Sequence, residues 1–338
     1  MKSMKLWHSL SALFALAVIA APLNGAVIVD DVFADGSAAA TGPLQADFFG
    51  SSSASAVESN AGSLGLVSGT SGRQAHAIFP TQTLATAGDY VQSTVFFTTP
   101  GFIASNATAA DLTAASDAAA AAGDTGTFTV GVPASSDDLK IGIFDHLGRG
   151  LPGGALLQDT SYSTNSPNAN YNGIAGYHIE LDVDPASTTN QDIDIRRSDS
   201  TNTSGRLLST NTGTPSIGSG PDIGYVFAPN NQYSLFQEIL LDAAGGVVVT
   251  STFTDVTSGT VIGTHSETDA TPASLSFGLL AFGASSEAFG LSNDGGIPDN
   301  GIDITRFLLE SEIAVIPEPS SLALLGLMGC AGLIRRRR

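Results

Sequence analysis

One stretch of the chain spaces three carboxylates in a way that could support acid–base chemistry. Glu180, Asp182 and Asp184 alternate with apolar residues in the run Glu-Leu-Asp-Val-Asp. Because successive side chains of a β-strand point to opposite faces, these three carboxylates would share one face of a strand. Two carboxyl groups about 5 Å apart can hydrolyse a glycosidic bond, one as nucleophile and one as proton donor. The spacing therefore makes Glu180, Asp182 and Asp184 a candidate carboxylate site.

The same run also has a simpler interpretation, which we favour. A solvated strand face that runs into a turn at Pro185 would carry the same alternating acids. The chain has no Gly-x-Ser-x-Gly nucleophile elbow, and its histidines do not pair at the His-x-x-x-His spacing of a metal site. We therefore assign no catalytic residue and expect a protein that is not an enzyme.

A second group of polar residues lies in a glycine-rich loop near the C-terminus. Its carboxylate and amide oxygens are the ligands that calcium prefers. The spacing does not match an EF-hand, and turn chemistry alone accounts for Asp and Asn in such a loop. We expect no cofactor, with calcium as the one cation to test. The calcium candidates are Asp294, Asp299, Asn300 and Asp303.

The charge of the chain is strongly acidic. The sequence holds 13 Lys and Arg residues against 32 Asp and Glu residues. Between the terminal segments, seven cations face 31 carboxylates, a net charge of about −24. Such a body would be repelled by phosphate backbones, so we expect no nucleic-acid partner. Arg196 and Arg197 could bind an anionic sugar, but in so acidic a body we expect them to form local ion pairs.

The N-terminal segment has the order of a secretory signal peptide. Lys2 and Lys5 precede an apolar run at 10–21 and small residues up to Ala26. Cleavage after Ala20, Ala21 or Ala26 fits this pattern, so we assign 1–26 to the signal. The single cysteine, Cys330, lies in the C-terminal tail, and the single tryptophan, Trp7, lies in the signal. Packing must therefore hold the body without a disulfide.

The C-terminal segment, 316–338, combines three ordered features. A stiff Pro317-Glu318-Pro319 element is followed by an apolar run at 322–334 and by a cationic end. The run is short for a membrane helix, which suits a temporary anchor. Together these features resemble the PEP-CTERM sorting signal, which implies recognition by exosortase, a bacterial membrane enzyme. The cationic end is Arg335, Arg336, Arg337 and Arg338.

Between these ends, residues 27–315 predict one antiparallel β-sandwich. Short β-branched and aromatic runs alternate with Gly-rich turns and show no βαβ rhythm. Asp242-Ala-Ala-Gly-Gly predicts a hairpin loop between two such runs. The predicted strands are 27–33, 73–79, 89–98, 128–132, 140–144, 176–182, 192–196, 233–242, 247–255, 261–269, 274–282 and 301–311.

The order of these runs is similar to concanavalin A-like or laminin G-like jelly rolls. The likeness rests on Gly62-Ser-Leu-Gly-Leu, the runs at 90–97, 140–145 and 177–182, and a closing run at 300–307. It implies a last strand that returns beside the first ones, and it permits glycan binding. The acidic run also resembles the Glu-x-Asp-x-(x)-Glu motif of laminarinase-like jelly-roll glycosidases. There Glu180 and Asp182 match the first two positions, whereas Asp184 stands where the family has Glu.

Three functions follow in order of preference. The first is an exported, non-enzymatic protein of the cell envelope or extracellular matrix, anchored in the membrane by its C-terminal helix before exosortase acts. It would associate with extracellular polysaccharide. The alternative is a lectin-like carbohydrate-binding module, assisted by calcium. The third is a glycoside hydrolase that uses Glu180.

Overall fold

The computed structural model describes most of the β-rich body of the chain. The described residues are 25–50, 57–66, 73–99, 128–130, 139–148, 171–182, 192–203, 207–208, 213–284, 291–293 and 302–313, together with 109, 110, 113 and 117.

Seventeen strands account for most of the regular structure of these residues, and residues 109, 110, 113 and 117 are helical. All twelve strands predicted from the sequence are present, and five short ones, β2, β3, β4, β11 and β16, were not predicted as strands. The strands are β1 (Ala26–Asp31), β2 (Phe48–Gly50), β3 (Val57–Asn60), β4 (Ser63–Leu66), β5 (Arg73–Thr83), β6 (Tyr90–Thr98), β7 (Phe128–Val130), β8 (Leu139–Phe144), β9 (Gly176–Leu181), β10 (Ile193–Ser198), β11 (Ser216–Ser219), β12 (Gln232–Leu241), β13 (Val247–Asp255), β14 (Thr260–Asp269), β15 (Ser276–Ala284), β16 (Leu291–Asn293) and β17 (Ile302–Glu312).

The strands form two large antiparallel sheets, as predicted. The eight-stranded sheet has the order β14-β13-β12-β6-β17-β4-β3, with β1 paired to β17. The seven-stranded sheet has the order β11-β10-β9-β8-β15-β5-β2, and β16 pairs with β7 apart from both. The last strand, β17, lies between β6 and β4 and also pairs with β1, so it returns beside the first strands.

The core lies between the inner faces of the two large sheets. In β6, buried and half-buried residues alternate along the whole strand, so one face of the strand points into the core. β13 alternates in the same way over most of its length. Tyr233 and Phe253 are fully buried and stack with ring centroids 5.5 Å apart. Each such side chain removes apolar surface from water and stabilises the fold by about 1.5–3 kcal/mol.

The central strands of the seven-stranded sheet are buried on both faces. Every residue of β8 and β9 is buried. Their inner face meets the main core, and a second apolar cluster covers part of their outer face. Apart from β8, that cluster draws on β15 and on residues before β9 and after β10. Its members are Phe144, Tyr171, Ile174, Leu207, Leu208, Leu279 and Ala281.

The loop between β12 and β13 is the hairpin that the sequence predicts. The Asp242 carboxylate accepts hydrogen bonds from the backbone N–H of Ala244 at 2.7 Å and of Gly246 at 2.9 Å. Gly245 has a φ of +87°, which a residue with a side chain rarely adopts. Asp242 and Gly245, the first of the two glycines, therefore set this turn.

The two predicted terminal signals lie almost wholly outside the described residues, which begin at Gly25 and end at residue 313. Within the described part, no helix is long and apolar enough to cross a bilayer. The predicted membrane helix at 322–334 falls outside that part. The assignment of 27–315 to one domain stays a prediction.

The first described residue, Gly25, is already fitted to the sandwich. Its backbone hydrogen-bonds to the hydroxyl of Tyr90, and a Cβ placed on Gly25 would lie 2.4 Å from that oxygen. Ala26 pairs with Ser311 at the start of the β1–β17 ladder. Gly25 and Ala26 thus contact the sandwich, while the assignment of 1–26 to a signal stays a prediction.

We therefore expect cleavage of the leader after Ala20 or Ala21, because cleavage after Ala26 would remove both contacts. N-terminal sequencing or intact mass of the exported protein checks this. A mature chain that begins at Val27 would show that Gly25 and Ala26 are dispensable for the fold.

Candidate functional site

The outer face of β8, β9 and β10 carries a cluster of charged side chains, which we call the charge cluster. It consists of Lys140, His178, Glu180, Asp194 and Arg196. The register explains their meeting: Lys140, Glu180 and Asp194 are direct neighbours across the three strands. His178 and Arg196 form the next row on the same face, two residues along.

Glu180 lies at the centre of the charge cluster. Its side chain is fully buried, and Lys140 Nζ lies 2.7 Å from its Oε1. Arg196 Nε donates to the other oxygen, Oε2. Both carboxylate oxygens are therefore occupied by cationic donors.

Asp194 holds the other side of Arg196. Its Oδ2 lies 2.9 Å from Arg196 Nη2, and its Oδ1 accepts from the hydroxyls of Ser216 at 2.5 Å and Ser219 at 2.8 Å. Arg196 Nη1 also donates to the backbone carbonyl of Thr214 at 3.1 Å. The fork of donors on the guanidinium thus fixes two carboxylates and one carbonyl at once.

His178 completes the charge cluster from the neighbouring row. Its ring is fully buried, and burial lowers its pKa, although Glu180 acts in the opposite direction. The ring is then neutral at neutral pH, so Nε2 carries the proton that it donates to Glu180 Oε1 at 3.3 Å. Nδ1 has no hydrogen-bond partner among the described residues.

Glycine at position 142 makes room for this arrangement. Gly142 is the cross-strand neighbour of His178. A Cβ there would lie 2.4 Å from the ring of Phe144 and 2.9 Å from the Cβ of His178. The Phe144 ring packs beside the His178 ring, with centroids 6.2 Å apart. An apolar ring therefore lies against the histidine beside the buried charges.

The environment keeps Glu180 ionised. Burial alone would raise its pKa, but the hydrogen bond from His178 and the charge of Lys140 outweigh burial and hold the pKa far below its ordinary value. With His178 neutral, two cations face two carboxylates, so the charge cluster is balanced. A carboxylate in this state cannot act as a proton donor near neutral pH.

The structure places the predicted site residues in different surroundings. Glu180 is sealed from solvent, so the interpretation of this run as a solvated strand face is wrong at that position, because the sheet is covered on both faces. Asp182 follows the last residue of β9, and its backbone N–H donates to the carbonyl of Asp192 at 3.1 Å. Asp184 lies outside the described residues, so a carboxylate site that includes it stays a prediction.

The calcium loop is described only at its end. Asp303 is an exposed residue of β17, beside Thr98 and Gly65 in the sheet. Asp294, Asp299 and Asn300 lie outside the described residues. Within the described ranges, no group of three or more His, Cys, Asp or Glu side chains could hold a metal ion.

Sequence reasoning anticipated part of the charge cluster. The expected local ion pairs of Arg196 and Arg197 are confirmed: Arg196 binds Glu180 and Asp194, and Arg197 lies 3.3 Å from Asp269. The grouping of Lys140, His178 and Asp194 around Glu180 was not predicted. Alternation in His178-x-Glu180 and Asp194-x-Arg196 signals shared faces, but only the strand register shows that these faces meet.

The first prediction for the charge cluster concerns stability. Glu180→Gln leaves two buried cations facing one carboxylate, and we expect a loss of about 3 kcal/mol in the free energy of unfolding. Urea denaturation measures this, with the exposed Asp303→Asn as a control that should change stability by less than about 0.5 kcal/mol. Lys140→Met should cost less in the Glu180→Gln background than in the wild type. Equal costs would mean that the two side chains are not coupled.

The second prediction concerns acid. The pKa of Glu180 is lower in the folded chain than its ordinary 4.5, so its ionised form stabilises the fold fully above about pH 4.5. That contribution is lost as the pH falls below 4.5 towards the folded-state pKa. We expect the unfolding free energy of the wild type to fall more steeply than that of Glu180→Gln between about pH 5 and pH 3. Parallel curves would contradict the low pKa.

Comparison with known proteins gives weak likenesses for the body. Solved structures that resemble the chain include peanut lectin, with 10% identity over 81% of this chain and 94% of that chain and a TM-score of 0.41. Lectin II from Ulex europaeus shows 11% identity over 79% and 92%, with a TM-score of 0.40. The VIP36 exoplasmic/lumenal domain, in a Ca²⁺/Man-bound form, shows 12% identity over 83% and 88%, with a TM-score of 0.39. No curated protein sequence matches the chain.

The C-terminal tail gives a direct match. Residues 315–338 match the model of the PEP-CTERM protein-sorting motif, and they include the Pro-Glu-Pro element, the apolar run and the four arginines. The motif indicates export, with anchoring in the membrane during sorting and before processing. This chain is thus a protein that carries the PEP-CTERM protein-sorting motif at its C-terminus.

Proposed function

We propose that this protein is an exported, non-enzymatic component of the cell surface or extracellular matrix. Exosortase processes its C-terminal tail, and the β-sandwich associates with extracellular polysaccharide. The sorting motif at 315–338 supports the route, and the strongly acidic body suits a soluble exported domain. The ionised and fully bound carboxylate of Glu180 is the observation that supports a non-enzymatic body.

A glycoside hydrolase needs one carboxyl group that can donate a proton and a second that can reach the substrate. Glu180 is held ionised, and both of its oxygens are bound by Lys140, His178 and Arg196. Asp194, the nearest carboxylate across the strands, is bound by Arg196 and two serine hydroxyls. The buried arrangement supports a structural role, in which the charges hold β8, β9 and β10 in register.

The test compares binding with hydrolysis. The purified exported protein is mixed with the exopolysaccharide of the producing cells and with neutral glucans, and both co-sedimentation and release of reducing ends are measured. We expect binding without release, because neither carboxylate of the charge cluster is available for the reaction. Binding measured with and without chelator decides whether calcium takes part.

Matched variants separate the alternatives. Glu180→Gln and Asp182→Asn, assayed well below their melting temperatures, should leave polysaccharide binding unchanged. Glycan cleavage by the wild type that disappears in Glu180→Gln would establish the hydrolase instead. If no polysaccharide binds under any condition, the association with polysaccharide is wrong, and a purely structural envelope protein remains.

A further inference from the structure

The outer face of the eight-stranded sheet differs from that of the seven-stranded sheet. At the β14 edge, the side chains that point away from the core are mainly hydroxyls, and we call this surface the hydroxyl face. Alternation along β12 and β13 sets these residues opposite the buried ones, and the exposed residues of β14 continue their rows by register. The hydroxyl face consists of Phe236, Thr250, Thr252, Thr254, Thr264, Ser266 and Thr268, and its rows end at the apolar side chains of Leu240, Val248 and Val261.

The strand register arranges these hydroxyls in rows. Thr252 is the direct neighbour of Thr264, and their hydroxyls lie 3.2 Å apart. Thr250 is the neighbour of Ser266 in the next row, with hydroxyls 2.8 Å apart. A hydroxyl has one donor and two acceptor positions, so each pair keeps a donor and several acceptors for a ligand.

The hydroxyl face is open to solvent. β14 is the edge strand of the sheet, and Thr264, Ser266 and Thr268 are exposed. Of the described residues that point outward from β12, β13 and β14, only Glu238 is ionisable, and burial raises its pKa. The face is therefore nearly uncharged in a body with a net charge of about −24.

An aromatic ring adjoins the hydroxyl rows. Phe236 lies in the row of Thr252 and Thr264, and its side chain is half-buried. Phe96 lies on the same face of β6, but there the guanidinium of Arg306 stands 5.7 Å from the ring centre. Phe236 is thus the aromatic side chain of the hydroxyl face, and it lies in the same row as the hydroxyls of Thr252 and Thr264.

We propose that the hydroxyl face binds a neutral polysaccharide, with one sugar ring stacked on Phe236 and further sugars hydrogen-bonded to the Thr and Ser rows. The proposal rests on the proposed function and names its ligand class and its surface. Sugar rings present apolar faces and hydroxyl edges, which match an aromatic ring beside a hydroxyl ladder.

Charge favours a neutral polymer over an anionic one. The described outward face of β12, β13 and β14 offers no cation to pair with a carboxylate or sulfate group, and an anionic chain would be repelled by the acidic body. A neutral glycan needs no cationic partner and is not repelled by the acidic body.

The repeat of the hydroxyl face favours a polymer over a single sugar. Neighbouring strands lie about 4.8 Å apart, and alternate residues of one strand are separated by about 6.8 Å. Each hydrogen bond to a sugar contributes little once exchange with water is counted. An extended chain that engages several rows adds these small contributions. A second protein copy is a poorer occupant, because the centre of a stable protein interface is apolar.

The experiment uses the exported protein purified from cells, with an insoluble neutral β-glucan and an anionic polyuronate as probes. Thr252→Val with Thr264→Val keeps the shape and the β-propensity but removes two hydroxyls, and we expect about tenfold weaker binding to the neutral glucan. Phe236→Ala should weaken binding by at least about tenfold. Thr98→Val, on the same face of β6 but outside the hydroxyl face, is the matched control and should bind as the wild type does.

The outcomes distinguish polysaccharide binding by the protein from the assignment of that binding to the hydroxyl face. Wild-type binding that survives in both the Thr252→Val/Thr264→Val and the Phe236→Ala proteins keeps the proposed function and overturns the hydroxyl face as its site. Stronger binding to the polyuronate overturns the neutral ligand. Concentration-dependent dimers that vanish in Phe236→Ala, without glycan binding, would assign the face to a second copy. Circular dichroism confirms that each variant is folded.

Discussion

The packing of two sheet faces against each other is the interaction on which this body depends. With its single cysteine in the tail, the body has no disulfide to restrict the unfolded chain, so buried apolar area must supply the stability. The inner faces provide it through an aromatic centre at Tyr233, Phe253 and Phe97, flanked by aliphatic side chains. The pairing of β17 with β1, β4 and β6 connects strands from both ends of the body within the eight-stranded sheet. Every other feature has to be compatible with this arrangement.

The second covering layer explains why the charge cluster has its particular form. Once Tyr171, Ile174 and Leu208 cover the outer face of the seven-stranded sheet, a charge on that face leaves water and must be paired. Glu180 meets this requirement with Lys140, Arg196 and a neutral His178. Such a network adds little net stability compared with apolar packing, but breaking one partner is costly. Its effect is to fix the register of three adjacent strands.

The sequence contains enough information to find the long strands, because their own alternation defines them. β13 reads Val-Val-Val-Thr-Ser-Thr-Phe-Thr-Asp, and its predicted and observed bounds coincide. Short strands such as β2 and β11 need a neighbour to become recognisable, so a single-strand pattern misses them. The burial of Glu180 could not be predicted either, since it depends on the chain segments that cover the sheet. The closing of β17 beside the first strands was predictable only through the likeness in strand order.

The residue pattern along single strands also distinguishes the outer face of the seven-stranded sheet from that of the eight-stranded sheet. This difference decides which face is available to a ligand. β8 reads Leu-Lys-Ile-Gly-Ile-Phe, with large residues on both faces, whereas β13 keeps threonine on one face only. A face that carries Lys140 and Phe144 is used for internal packing, and a face of threonines stays available to solvent. The strand that leads to the sorting motif, β17, is separated from β12, the nearest strand of the hydroxyl face, by β6, about 10 Å at the usual strand spacing. A polymer on the hydroxyl face and the strand that leads to the sorting motif would therefore occupy different parts of one sheet.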